Sequence, residues 1–428
     1  MNEILPLRDI VLLQREFKMK PPGLFTLVDF IKQFTKTIDT NHYEYTRTRI
    51  SNLSLLVLMV ALKLRNCNGL TLHVEELEVS YFVNLLRESD LEELDLSRTP
   101  IRSEGLMLIL KEAPVKLRTL KLTGCQIQFI TSSLLERFAN IKELHLGKNP
   151  VKASVFNLVL KKLNKTIEVL NFAECDFSSN ELDLYMLKEC INLKVLDLSY
   201  NPLLNDGVES ILRSSPKSLK QFMVNRCCIS SFSIALKNLH CLEVNSNRIR
   251  NSGLITILTN LSETLEFLSV SQCEITEIPT ALLTKCRLLV ALNISYNSIQ
   301  SRGFQQVLDC LYSQIQSLDV GSCGIEGIPL RSLQNCTDLM KLDIKLNPRI
   351  DFLVLKEAAR VLPRLYSIQT SSREVNFYFE VILSSFKFRI NNLLASTKSL
   401  KNTESVKVKL LPVDILIMIS NRIARFAS

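Results

Sequence analysis

The side chains most able to do chemistry in this chain of 428 residues are its twelve cysteines and four histidines. The histidines, His42, His73, His145 and His240, are far apart in the sequence. None belongs to a CxxC or HExxH pattern, the spacings that typically bind zinc, and the chain contains no glycine-rich phosphate loop and no GxSxG motif. We therefore predict a protein that is not an enzyme, without catalytic residues, metal site, cofactor or small-molecule substrate.

The cysteines are placed regularly, and five of them close a short segment of the form LxxLxLxx: Cys125, Cys175, Cys227, Cys273 and Cys323. The intervening copies close with Asn, or with Thr99 in the first copy. Asn offers both a donor and an acceptor, whereas Cys is small and weakly polar, so both suit a tight turn between stacked coils. Strands lie ~4.8 Å apart, which puts cysteines two copies apart at ~10 Å, beyond disulfide reach. We expect buried, reduced thiols and hence a reducing, cytoplasmic compartment.

Eleven copies of the segment align, starting at residues 91, 117, 141, 167, 193, 219, 239, 265, 289, 315 and 339. Successive copies begin 24 or 26 residues apart, except for one step of 20 residues from Leu219 to Leu239. Alternating apolar residues predict a short strand in each copy, with full helices after most Asn or Thr copies and shorter connections after several Cys copies. No copy can bury its apolar face alone, so the copies must stack.

This pattern resembles the leucine-rich-repeat superfamily, and the Cys and Asn alternation resembles its ribonuclease-inhibitor-like class. The resemblance covers about residues 91–361. It implies an α/β solenoid, a curved horseshoe with parallel strands on the concave face and helices and short irregular segments on the convex face. We divide the chain into an N-terminal helical cap at 1–56, the solenoid at 57–365 with clear repeats at 91–361, and a C-terminal helical cap or F-box-like tail at 366–428.

Residues between the repeated apolar positions are free to serve recognition, since stacking does not fix their identity. Polar residues at the centre of the copies, such as Asp95 and Asp197, are expected on the concave face beside larger side chains. Tyr and Arg often dominate binding energy because they bury much area and keep a polar group. We predict that a partner protein binds this face through six residues: Arg98, Lys148, Tyr200, Arg226, Phe267 and Tyr296.

The charge balance indicates what such a partner would carry. The chain has 52 basic and 43 acidic residues, a net charge of +9, which favours a partner with an acidic patch. No run of Lys and Arg is interleaved with aromatic residues, so we expect no nucleic acid. The most apolar stretch, residues 53–64, is shorter than the ~20 residues of a spanning helix. We therefore predict buried core there and no membrane span.

Alternative functions remain open at this point. Residues 409–426 resemble the opening helix of an F-box, with Leu411, Pro412, Ile415 and Ile419 fitting the pattern LPxxIxxxI. That resemblance implies a substrate adaptor of a ubiquitin ligase, with a Skp1-like partner at the C-terminus. Host-directed bacterial effectors also use leucine-rich repeats, and such a protein would be translocated into a host cytosol. A regulator of a small GTPase or of actin is a minor alternative.

Overall fold

The computed structural model describes residues 42–47, 49–87, 89–231, 238–362 and 364–371, together with residues 12, 13, 15, 17, 30, 31, 34, 35 and 376. The chain divides into two compact units, Met1–Glu274 and Ile275–Ser428. The predicted F-box-like helix at residues 409–426 lies outside the described residues, as does nearly all of the predicted C-terminal cap.

Each repeat contributes one short strand, and every strand pairs in parallel with the next strand along the chain within its unit. The strands described in the first unit are β1 His42–Thr46, β2 Gly69–His73, β3 Glu93–Asp95, β4 Thr119–Lys121, β5 Glu143–His145, β6 Val169–Asn171, β7 Val195–Asp197, β8 Gln221–Met223, β9 Cys241–Glu243 and β10 Phe267–Ser269. Those described in the second unit are β11 Ala291–Asn293, β12 Ser317–Asp319, β13 Lys341–Asp343 and β14 Ser367–Gln369.

The register of the strands confirms the predicted stacking. Leu94, Leu120, Leu144, Leu170 and Leu196 are paired one to the next across five adjacent strands. All five side chains are at most 1% exposed. Because the middle residue of each strand is the buried one, the apolar positions of successive repeats form one continuous core within the unit.

The strand ladder begins earlier and ends later than the sequence indicated. Residues 1–56 were expected to form a helical cap, yet β1 lies within them and pairs with β2. Its sequence, HYEYT, has no leucine, and Tyr45 takes the buried position instead. The helix Asn52–Leu64 crosses the expected boundary at 56/57, and Leu55, Val57 and Leu58 in it are buried, as predicted for this apolar stretch. At the other end, β14 extends the ladder beyond residue 365.

Long and short helices alternate, as predicted. Helices of 10 to 12 residues follow the Thr and Asn copies: Arg102–Glu112, Ala153–Leu163, Leu204–Ser214, Arg250–Leu261, Gln300–Leu311 and Phe352–Val361. Helices of 4 to 6 residues follow four of the Cys copies: Ser132–Arg137, Leu184–Lys188, Thr280–Leu283 and Leu330–Gln334. A 3₁₀ turn, Ser179–Glu181, follows the Cys175 copy, and the helix Val79–Leu86 follows β2. No described helix has the length and apolar character needed to cross a bilayer.

The alternating Asn and Cys residues connect successive repeats through the turn after each strand. Asn201 is fully buried: its Oδ1 accepts from the backbone N of Cys175 (3.1 Å), and its Nδ2 donates to the carbonyl oxygens of Phe172 (2.8 Å) and Leu198 (3.0 Å). The Cys227 thiol donates back to the Leu198 carbonyl at 3.4 Å. The two residue types therefore bind the backbone of the preceding repeat, Asn through several bonds and Cys through weaker ones.

None of the twelve cysteines, all of which lie among the described residues, forms a disulfide. Burial raises the pKa of the Cys125, Cys175 and Cys227 thiols from 9.0 to about 12, and that of Cys273 and Cys323 to about 11. Such thiols stay protonated at neutral pH, so they are packing residues and not nucleophiles.

Candidate functional site

The sheet of the first unit carries two rows of partly exposed side chains, because the first and third residues of the short strands point away from the core. The first-residue row includes Val169, Val195, Cys241 and Phe267. We call these two rows the strand face. Of the six residues predicted to bind a partner, only Phe267 lies on a strand.

Four other predicted residues, Arg98, Lys148, Tyr200 and Arg226, share a third row in the turn after the strand, directly before the Thr, Asn or Cys that closes the repeat. All four have a positive φ, between 52° and 64°. This left-handed conformation reverses the chain so that the next residue points into the core, and it holds the outward side chain exposed. The structure therefore brings these four residues into one row and places Phe267 in another.

Tyr296 occupies the equivalent turn position in the second unit, with a φ of 55° and 54% exposure. Its backbone N donates to the carbonyl oxygen of Gly321 at 2.7 Å, so the turn is fixed by the backbone and the ring is left exposed.

Tyr200 and Arg226 form the best-defined pair among the predicted residues. The Arg226 guanidinium lies 6.0 Å from the centre of the Tyr200 ring, within the range of a cation–π contact. The Tyr200 side chain is 49% exposed. In the same row, the Lys148 ammonium lies 3.5 Å from the Glu174 carboxylate. Because this ion pair is solvent-exposed, it contributes little to the free energy of folding.

Sequence reasoning missed an apolar strip on the strand face. Val169 pairs with Val195, and Cys241 pairs with Phe267, on neighbouring strands. Met223 lies in the adjoining row, on the strand between these pairs. All five side chains are partly exposed. The signal was present in the third residue of each repeat, which is apolar in these four copies and polar in Glu93 and Glu143, but Phe267 was the only member of the strip among the predicted residues.

The third residues of the strands form a central column of mostly polar side chains, and part of this column has a structural role. Asp95 and Asp197 each accept a hydrogen bond from the backbone N two residues later, at 2.9 Å and 3.0 Å. Asn171 makes the same bond and also donates to Asp197 at 2.6 Å. These side chains shape the turn after the strand, which explains short acidic and amide residues there without any ligand.

His145 stands apart in this column. Its Nε2 is buried and has no hydrogen-bond partner among the described atoms. Burial and the nearby Lys121 lower its pKa, against smaller opposing effects of Asp95 and Asp197, so the ring is neutral at pH 7. In the second unit, burial and the neighbouring Asp343 raise the pKa of Asp319, opposed by a bond from the Gly321 backbone. No group of residues suited to hold a metal ion occurs among the described residues.

The family model of the Leucine Rich repeat matches residues 89–110, 189–212 and 235–258. The three matched segments are leucine-rich repeats. The matched segments coincide with helices and strands of the stack, for example β7 and the helix Leu204–Ser214. The leucine-rich-repeat fold is that of a protein–protein interaction module. The ribonuclease-inhibitor-like class stays a prediction.

Several solved structures are similar to the chain. An internalin from Listeria monocytogenes is 17% identical, covers 85% of this chain and 89% of its own, and has a TM-score of 0.43. A leucine-rich-repeat protein from Leptospira interrogans is 16% identical, with coverages of 76% and 82% and a TM-score of 0.44. The Rad7 and Elc1 complex in yeast gives 15% identity, coverages of 86% and 93%, and a TM-score of 0.47. No curated protein matches the sequence. TM-scores below 0.5 are too low to transfer a partner.

Proposed function

We propose that this chain is a non-enzymatic protein that binds a partner protein on the strand face of its first unit. The observation that supports this proposal is the apolar strip formed by Val169, Val195, Met223, Cys241 and Phe267, which is partly exposed on five consecutive strands. Folding does not require apolar residues at these positions, because the middle residue of each strand already fills the core. An apolar patch of this kind, bordered by polar groups, is typical of a protein-binding surface.

The border of the strip supplies groups of the kind that dominate protein interfaces. Tyr200 and Arg226 lie in the turns that follow β7 and β8, and Arg98 and Lys148 extend the same row toward earlier repeats. Aromatic and arginine side chains next to an apolar centre are the usual sites of large binding energy. The positive charge of this border favours a partner with an acidic patch. We propose Tyr296 as a separate contact with the partner, made by the second unit.

Affinity capture tests the proposal with two matched variants. The full chain is immobilised, proteins retained from a cell extract are quantified by mass spectrometry, and the retained partner is cross-linked to the chain to map its contacts. Val195→Asp combined with Phe267→Ala is expected to reduce capture at least about tenfold, because a central apolar contact is worth roughly 2 kcal/mol or more. Tyr185→Ala, which removes a 73% exposed ring on the helix Leu184–Lys188, is the control and should retain the partner.

Equal retention by the strand-face variant and by Tyr185→Ala, with both variants folded, would refute the proposed surface. Cross-links confined to the long helices would refute it as well, because those helices lie outside the strand face. A separate variant, Tyr200→Ala with Arg226→Ala, measures how much the border contributes.

A further inference from the structure

The edge that follows the strands of the first unit is a second surface with its own chemistry. After each strand from β3 to β10, alternate residues point outward: Tyr200, Pro202 and Leu204 are exposed, whereas Asn201 and Leu203 between them are fully buried. The turn after β2 differs, because Glu75 and Glu76 are both exposed there. We call the outward residues of these turns the edge surface. The same alternation holds in the other copies of the unit, so the edge surface presents a regular series of side chains.

Three of the four Thr and Asn copies in this unit place two cations on the edge surface: Arg98 with Arg102, Lys148 with Lys152, and Arg248 with Arg250. With Arg226 the edge surface has seven cations, against the three carboxylates of Glu174, Asp176 and Glu274, which gives seven minus three, or +4. A positive surface of this kind attracts an acidic partner.

The remaining Asn copy carries apolar groups where the others carry cations. The Tyr200 and Leu204 side chains are 49% and 57% exposed. Leu204 is in a left-handed conformation, with a φ of 61°, and its backbone N donates to the carbonyl oxygen of Cys227 at 3.1 Å. Since Leu203 already fills the core and the backbone bond fixes the turn, Leu204 cannot turn inward. Its apolar surface therefore stays available to a partner.

The spacing of these groups defines the partner more closely. Lys148 and Lys152 precede the Tyr200 copy by two strands. Arg248 and Arg250 follow it by two strands, and both pair with the Glu274 carboxylate, at 3.3 Å and 3.0 Å, so an acidic residue of the partner would share these cations with Glu274. Two strand separations are ~10 Å, which an extended peptide spans with about three residues. An apolar side chain seated on Tyr200 and Leu204 would thus have the cation pairs about three residues before and three residues after it.

We propose that the edge surface of the first unit binds an extended acidic segment of a partner protein, with an apolar side chain on Tyr200 and Leu204 and acidic residues three positions to either side. This inference goes beyond the proposed function, because the edge surface is a different surface from the strand face. A nucleic acid fits less well: Glu174 and Asp176 lie between the Lys148 copy and the Tyr200 copy, and they would repel a continuous phosphate backbone. A peptide can place a neutral residue there.

The test measures binding of a synthetic peptide to the full chain by fluorescence anisotropy. The probe is a labelled peptide with a central Phe, Asp at three positions before and after it, and Ser and Gly elsewhere. A second peptide has the same composition with the Asp residues beside the Phe, and a single-stranded oligonucleotide is the third probe. The spaced peptide should bind at least about fivefold more tightly than the other two.

Two variants and one control separate the contributions. Tyr200→Ala with Leu204→Ala should weaken binding of the spaced peptide about tenfold, because it removes the apolar seat. Lys148→Glu with Lys152→Glu should weaken it similarly and should instead favour a peptide carrying Lys in place of only the Asp that faces these two positions. Tyr185→Ala should bind like the wild type. Absence of peptide binding, equal binding of both peptides, or tighter binding of the oligonucleotide would each overturn the inference.

The strand-face variant Val195→Asp with Phe267→Ala distinguishes this inference from the proposed function. If the peptide fails to bind but capture of a partner still depends on the strand face, the inference is wrong and the proposed function stands. If the peptide binds as described and capture does not depend on the strand face, the edge surface is the binding site and the proposed strand-face function is wrong.

Discussion

Replacing Asn149 with alanine is expected to destabilise the first unit more than replacing one of the cysteines that close the neighbouring repeats. The Asn149 side chain is 1% exposed and makes five hydrogen bonds to backbone atoms. Its Oδ1 accepts from the backbone N of Cys125 (2.8 Å) and of Ile127 (3.0 Å). Its Nδ2 donates to the carbonyl oxygens of Leu122 (2.7 Å), Leu146 (2.8 Å) and Gly147 (3.1 Å).

The size of the destabilisation follows from the backbone groups that would lose a hydrogen-bond partner in the alanine variant. Two buried N–H groups would lose their acceptor, at about 1–3 kcal/mol each. The three carbonyls would lose a donor at a smaller cost, since a carbonyl oxygen has a second lone pair. We therefore expect a loss of roughly 3–6 kcal/mol in the free energy of unfolding. Cys125→Ala removes one weak donor, which bonds the Leu96 carbonyl at 3.0 Å, and a small volume. It should cost about 1–2 kcal/mol.

Urea unfolding followed by far-ultraviolet circular dichroism measures this difference, since the chain has no tryptophan to serve as a fluorescence probe. Asn192→Ala is the matched control: its amide is exposed and makes one described bond, from Nδ2 to the Lys165 carbonyl. It should change the free energy of unfolding by no more than about 0.5 kcal/mol. If Asn149→Ala costs no more than Cys125→Ala, the hydrogen bonds of the amide do not hold the repeats together and the reasoning fails.

Four further predictions concern titration, thiol reactivity and packing. The pKa values of the five cysteine thiols that close repeats are raised in the folded state, so above pH 9.0 the folded protein keeps protons that the unfolded chain loses. Stability, measured as the urea midpoint, should therefore be constant below pH 9.0 and fall as the pH rises toward about 12. In the native state a thiol reagent should modify exposed Cys228 and spare the ladder until urea is added. The pKa of His145 in the folded state is lowered from its ordinary value of 6.5. The resulting contribution to the free energy of unfolding is fully present above pH 6.5 and is lost as the pH falls below 6.5. His145→Asn should therefore make the free energy of unfolding less sensitive to acid. Gly147→Ala should cost about 1–3 kcal/mol, because the new Cβ would lie 2.5 Å from the Asn171 Oδ1, whereas Gly327→Ala has nothing within 4 Å and should be neutral in thermal unfolding.

The stacking of the strands could be predicted because each repeat shows the same sequence pattern independently of the others. The aligned leucines gave the strand register, and the Cys and Asn alternation gave the alternation of long and short helices. The first strand could not be found in this way. Its buried position holds Tyr45, and β1 becomes a strand only because β2 offers a parallel partner. Pairing between segments is a tertiary effect that a single segment does not reveal.

The sequence indicated that large side chains such as Tyr200 and Arg226 are exposed, but it did not indicate their geometry. Tyr200 and Arg226 were selected as exposed and large, and the structure places them in contact. Their row was misjudged, because the sequence does not show that the chain turns into a left-handed conformation before the closing residue. That turn moves these side chains from the strand to the edge. Leu204 was not recognised as outward, because a leucine beside the buried Leu203 looks like core.

The left-handed turns explain how the outward side chains of this fold can vary without loss of stability. Tyr200 donates its backbone N to the Asn225 carbonyl at 2.7 Å, and Arg226 does the same to Asn245 at 2.8 Å. These bonds involve only the backbone, so they hold the repeats together whatever side chain is present. Gly124 occupies the same row with a φ of 70°, which shows that the position tolerates the loss of the entire side chain. A non-glycine residue there costs roughly 1–2 kcal/mol of backbone strain, and the side chain adds no described bond to the core. Neither the stacking of the repeats nor the core therefore determines the identities of Tyr200 and Arg226.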